Sequence, residues 1–110
     1  MNIEEYFEYH ANDDIRIKGT RVGIESVLYE FIYREQAPEL IERRYPTLTL
    51  EQVYATILYY LHNKLKIDKY MSDWLVFSQR MREKQAKNPP PVILRLRELK
   101  NKNKVQLTNE

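Results

Sequence analysis

The chain has 110 residues, with 18 Lys and Arg against 16 Asp and Glu and a formal net charge of +2. That length suits one domain with one modest core, and the absence of cysteine excludes a disulfide framework or a thiolate metal site. No apolar run nears the roughly 20 residues of a membrane span, and the acidic start MNIEEYFEY is unlike a signal peptide, so a soluble cytoplasmic protein is expected.

Residues 3–10 alternate loosely, and Tyr6, Phe7 and Tyr9 favour a strand. Asn12-Asp13-Asp14 is turn chemistry, because Asx side chains bond their own backbone two residues on. Ile15-Arg16-Ile17-Lys18 then alternates apolar with basic, which predicts a second strand with both isoleucines facing inward. Gly19 is placed for a positive φ as the chain leaves the hairpin, with Thr20 and Arg21 at the corner. A lone two-stranded hairpin is marginal in water. It must pack on helices or pair with a second copy, and the latter points to a homodimer.

Ile24, Val27, Leu28, Phe31 and Ile32 recur at helical spacing, predicting a first helix over about 23–34. Ala37-Pro38-Glu39 opens a short second helix, since proline suits the first helical position and glutamate complements the dipole. Tyr45-Pro46 ends it. Thr49, with Gln52 three residues on, forms a capping-box signature. Leu50, Val53, Ile57 and Leu61, broadened by Leu58, carry a third helix to about residue 64. A short helix, a tight turn and a longer helix is the pattern of a helix-turn-helix.

Ile67, Tyr70, Met71, Trp74, Leu75, Ser78 and Met81 continue a helical period, giving a long fourth helix over about 68–87. Its second half, Gln79 to Lys87, turns basic and is expected to project from the core or fray. Charge divides the chain here. Residues 1–78 hold nine Lys and Arg against thirteen Asp and Glu, while residues 79–110 hold nine against three. Asn88-Pro89-Pro90-Pro91 is a semi-rigid stop. The apolar residues of Val92 to Leu99 fit a strand or a helical turn equally well. The expected organisation is a hairpin arm over 1–22, a helical bundle over 23–88, and a proline hinge with a basic tail over 89–110.

The run Asp14-Ile15-Arg16-Ile17-Lys18-Gly19-Thr20-Arg21-Val22, taken with Tyr45-Pro46-Thr47-Leu48-Thr49-Leu50-Glu51-Gln52-Val53, resembles the family known as domain of unknown function 433. The resemblance covers about residues 6–75. It implies a mainly α fold: a short N-terminal β-hairpin, then a homeodomain-like or winged helix-turn-helix bundle. Many members of the family look like antitoxins paired with a PIN-like ribonuclease toxin, in which an N-terminal part binds DNA and dimerises and a C-terminal segment wraps the toxin. The sequence departs from the family pattern in two places. Gly23 stands where a proline is usual. Gln36 and Ala37 stand where a glycine and a hydroxyl cap are usual.

The face of the third helix expected outward is Glu51, Gln52, Ala55, Thr56, Tyr59 and Asn63. Gln52 and Thr56 have the chemistry to read base edges. Phosphate contacts would come from Arg16, Lys18, Arg21, Arg43, Arg44, Lys64 and Lys66, since this helix carries no arginine. A helical pair that only packs is the competing reading.

The basic tail is a solvated run, a phosphate-binding arm, or a toxin-binding peptide. In the last case Val92, Leu94 and Leu96 supply apolar contact, and Arg95 or Arg97 meets the acidic metal site of the nuclease. Tyr29, Tyr33, Tyr54, Tyr59 and Tyr60 form a dimer surface or a tyrosine-rich core rim. His10 and His62 have no metal-ligand spacing, and no cofactor is expected. No nucleophile-base pair, phosphate loop or carboxylate pair converges on catalysis. The expected function is that of an antitoxin that neutralises a PIN-like toxin and binds operator DNA. The alternatives are a stand-alone DNA-binding regulator and a structural or adaptor dimer.

Overall fold

A computed structural model describes residues 2–87 and positions 95, 96 and 99. The hairpin pairs β1 (Phe7–Ala11) with β2 (Asp14–Ile17) in antiparallel register, Phe7 opposite Ile17 and Tyr9 opposite Ile15, with an irregularity between Tyr9 and Ala11. Both isoleucines are buried, as their alternation with Arg16 and Lys18 predicts. Gly19 takes φ +78°. The Thr20 hydroxyl donates to Ile17 O at 2.8 Å and accepts from Val22 N–H at 3.1 Å, locking the corner. Residues Ile3–Tyr6 are a 3-10 turn and not the start of the strand. The N–H groups of Glu5 and Phe7 bond back three residues, to Asn2 and Glu4.

Helix α1 (Ile24–Leu28) starts from Gly23 in an extended conformation and continues as a π-helical turn, Tyr29–Tyr33. The expected single α-helix over 23–34 is therefore divided. Arg34 N–H reaches Tyr29 O, five residues back. The wider turn changes the phase of the stripe: Phe31 and Ile32 are only half-buried, while Glu30 goes inside. The segment ends at Glu35, in the left-handed region at φ 53°, with Gln36 N–H bonded to Glu30 O at 2.9 Å.

Helix α2 (Pro38–Arg44) begins with proline and buries Ile41. Helix α3 (Leu50–His62) has both halves of its capping box in place: Gln52 N–H donates to Thr49 Oγ1, and Thr49 N–H to Gln52 Oε1. Asn63 alone separates it from α4 (Lys64–Lys87), which starts four residues before the expected 68. Ile67 N–H already bonds to Asn63 O at 2.9 Å, so the polar stretch before Ile67 needs no loop. Residues 79–87 remain helical and are all exposed, so the fraying alternative is not what this stretch does.

The core gathers Phe7, Ile15, Ile17, Ile24, Val27, Leu28, Ile41, Leu48, Val53, Ile57, Ile67 and Met71. Each fully buried aliphatic contributes about 1.5–3 kcal/mol, so α3, packed against α1, α2 and the 3-10 turn, is the central element. The chain divides into two units, Met1–Trp74 and Leu75–Glu110, with the boundary inside α4. Among the described residues no helix is long and apolar enough to cross a membrane.

Candidate functional site: the outward face of α3

Helices α2 and α3 are joined by a turn in which Leu48 N–H bonds to Tyr45 O at 2.9 Å and the Leu48 side chain is buried. The side chains exposed beyond this short turn decide what the pair of helices can do. Tyr54, Leu58 and Leu61 lie at i, i+4 and i+7, at 47%, 46% and 56% exposure, with Glu51 and His62 at the ends of the stripe. Leu65, on the first turn of α4, is 89% exposed.

Half of the face expected outward is instead turned into the protein, Glu51 stays exposed, and Gln52 and Asn63 are half-buried. Ala55, Thr56 and Tyr59 are buried. The Thr56 hydroxyl is spent on Gln52 O at 2.8 Å, and Asn63 donates to Tyr59 O at 3.0 Å. The true outer face is offset by about a quarter turn at 3.6 residues per turn. The cause is a second covering layer. The 3-10 turn packs on α3, and the Phe7 ring meets the Tyr59 ring at 4.8 Å. A sequence signal for this existed, since Ala55 through Leu61 is nearly apolar all round, the mark of a helix covered on more than one side.

The proposed phosphate ligands fall into two groups. Arg16 holds Asp14 through two hydrogen bonds, at 3.0 and 2.8 Å. Those bonds pull the Asp14 carboxyl below its usual range. Arg44 and Arg34 both pair with the buried Glu30 carboxylate, at 3.1 and 3.2 Å. Lys18, Arg21, Arg43, Lys64 and Lys66 are exposed and have no ion pair among the described residues. They lie on separate stretches: the hairpin corner, the end of α2 and the start of α4. The Gln52 side chain is committed to the cap. Arg95 and Leu96 have helical backbone and are exposed, whereas Val92, Leu94 and Arg97 lie outside the described residues.

The tyrosines split by role. Tyr59 and Tyr60 are core residues, and Tyr29, Tyr33 and Tyr54 stay at the surface. Tyr60 donates to Asp68 at 2.7 Å, and its phenol is pushed up to about 12, chiefly by burial and then by that carboxylate. Tyr54 donates to Glu39 at 2.8 Å, tying the exposed stripe to the first turn of α2. This bond raises the Tyr54 phenol. On Glu39, the backbone hydrogen bond at the helix start and then Tyr54 lower the carboxyl. The bridge holds one end of the stripe in a set geometry.

No curated protein and no solved structure matches the chain. Residues 12–60 match the family model described as "Protein of unknown function (DUF433)", a span that runs from the hairpin turn through most of α3, and over that span the chain is similar to this family.

Proposed function

We propose that this chain is the antitoxin of a toxin–antitoxin pair and acts chiefly by holding a protein partner. The carrying observation is the outward face of α3. A DNA-reading helix needs donors, acceptors and nearby cations, but this one offers Tyr54, Leu58 and Leu61. A contiguous exposed apolar stripe is a mark of a protein contact. The partner is a PIN-like ribonuclease. In this reading the stripe docks its body, and the segment Val92–Arg97 carries Arg95 or Arg97 to its carboxylate-rich metal site, where a guanidinium pairs with carboxylate by short charged hydrogen bonds.

The test asks whether a reading frame for a PIN-like nuclease lies beside this one, and then uses co-purification with its product together with an RNA-cleavage assay. The full chain is expected to bind and to silence cleavage. Leu58→Arg with Leu61→Glu, and separately truncation at Pro89, should each weaken binding at least about tenfold, or about 1.4 kcal/mol. A full chain that neither binds nor inhibits would overturn the reading.

Operator binding is the second reading, supported by the short turn between α2 and α3 and by Lys18, Arg21, Arg43 and Lys64, which have no ion pair among the described residues. It requires an affinity for upstream DNA that falls steeply with salt. A flat salt response would remove it.

A further inference from the structure

The two edges of the hairpin are not equivalent. Ile15 and Ile17 point their N–H groups away from β1, and both are engaged. Ile15 N–H donates to Tyr70 Oη at 3.2 Å, and Ile17 N–H to Val22 O at 2.9 Å. A bridge between Arg16 and Gly23 closes the same side. In an antiparallel ladder, opposed residues share the same phase. Phe7 and Tyr9, opposite Ile17 and Ile15, therefore also turn their backbone groups away from the hairpin, on the far side of β1. The bond from Lys18 N–H to Tyr6 O at 2.8 Å fixes this alternation. Phe7 N–H is used by Glu4 O. By that alternation the Tyr9 N–H and C=O face outward, beside the irregularity between Tyr9 and Ala11, and no hydrogen bond joins them to another element among the described residues.

We propose that β1 is a dimerisation strand, pairing antiparallel with β1 of a second copy of this chain about a twofold axis through Tyr9. The two hairpins then form one four-stranded sheet. A twofold interface must be self-complementary, and the polar side chains of β1 are. Glu8 and His10 flank Tyr9, half-exposed on the other face of the strand, 3.5 Å apart within one chain. With Tyr9 opposite Tyr9, each Glu8 faces the His10 of the second copy. Shifting the pairing two residues one way opposes Glu8 to Glu8, and the other way opposes His10 to His10. Interacting side chains directly across a ladder stabilise it and like charges destabilise it, so the Glu8–His10 contact and the avoided Glu8–Glu8 contact select the central register.

The same pairing brings the two Tyr9 rings together. Each is 49% exposed and stands edge-on to Tyr59 at 6.4 Å. Exposed edges are commonly blunted by charge. Here one shifted register sets Glu8 against Glu8, and only the central register gives each Glu8 a His10.

The inference is independent of the antitoxin reading. A monomeric chain would leave that reading standing, and a failed co-purification would leave this one. Sedimentation equilibrium of the full chain is the measurement, with a dimer expected. Tyr9→Pro removes an N–H the hairpin does not use, which an edge strand tolerates. It should weaken the dimer at least about tenfold while the far-ultraviolet spectrum and melting stay close to wild type. Glu8→Lys and His10→Glu should each weaken it, and the double variant E8K/H10E should restore it, with the far-ultraviolet spectrum and melting of all three close to wild type, so that repair of the 3.5 Å pair within one chain is not what is read. Leu58→Arg should leave it intact. A wild-type chain that stays monomeric at about 100 µM, a dimer unmoved by Tyr9→Pro, or a double variant without rescue would overturn the assignment.

Discussion

The Tyr70 hydroxyl donates to the Glu25 carboxylate across 2.9 Å while accepting the Ile15 N–H at 3.2 Å. One phenol on α4 thus joins the edge of β2 to the first turn of α1. Glu25 reaches it by folding back beside Gly23, where an added Cβ would collide with the Glu25 carboxylate. Any larger residue would put atoms there, so Gly23 and the Glu25–Tyr70 contact belong together. Burial first, and Glu25 after it, raise the Tyr70 phenol well above its ordinary value, so the hydroxyl keeps its proton throughout the pH range in which the fold is stable. Replacing Tyr70 by Phe keeps the ring but leaves the Ile15 N–H without an acceptor. An unsatisfied buried donor costs about 1–3 kcal/mol. Urea unfolding of Tyr70→Phe should show that loss. A loss below about 0.5 kcal/mol would mean that water replaces the hydroxyl.

Glu30 is the one charged residue of the described core, its side chain 5% exposed, facing Arg34 and Arg44, which are 46% and 56% exposed. Removing one member of a fully buried pair costs about 3–5 kcal/mol. Here the two arginines can swing into water, so the expected cost of Glu30→Ala is smaller, about 1–2 kcal/mol, mostly from lost charged hydrogen bonds. Arg44→Ala should cost less still, because Arg34 continues to pair with Glu30. Thermal melts of the two variants decide the order. An Arg44 effect equal to the Glu30 effect would show that the bond from α2 carries the stability.

What was legible in the sequence is what is local. The Asn12-Asp13 turn, the Gly19-Thr20-Arg21 corner, Pro38 at the start of α2 and the Thr49–Gln52 box each act within a few residues, and each occurs as the chemistry predicts. The phase of α3 was not legible from its strongest stripe. Ala55, Thr56 and Tyr59 are covered by a turn about fifty residues earlier in the chain, so the outer face follows from tertiary packing. Glu30 was hidden for another reason: the π-helical turn breaks the 3.6-residue period on which the prediction rests. Tyr70 and Ile15 are 55 positions apart, and nothing in the spacing pairs them. Of the candidate phosphate ligands, only the contacts of Arg16 and Arg44 could distinguish a structural cation from a free one.

The Asp14–Arg16 pair should show itself at acid pH. The Arg16 hydrogen bond holds the folded Asp14 carboxyl below its ordinary value, so the unfolded chain takes up this proton first as pH falls. The stabilisation is therefore fully present above the unfolded value of about 3.9 and is lost as pH drops through the lower folded value. Asp14→Asn should be less stable than wild type by a constant amount near neutrality, and the difference should close only below about pH 4. Chemical denaturation across that range is the check. A gap that closes near neutrality would assign the effect to another group.

Glu35 offers the opposite experiment, a substitution that strengthens the fold. It sits at φ 53°, where a side chain costs roughly 1–2 kcal/mol and glycine pays almost nothing. It closes the π-helical segment in the manner of a Schellman cap, with Gln36 N–H on Glu30 O at 2.9 Å, and no salt bridge among the described residues involves its carboxylate. Glu35→Gly loses the strain but adds entropy to the unfolded chain, a partial offset of about 0.5–1 kcal/mol. The net expectation is a gain of roughly 0.5–1 kcal/mol, a rise of a few degrees in melting temperature for a domain of this size. Glu35→Ala keeps the Cβ and should give no such gain. If alanine stabilised as much as glycine, the strain would not be in the backbone, and the left-handed position would owe its glutamate to charge.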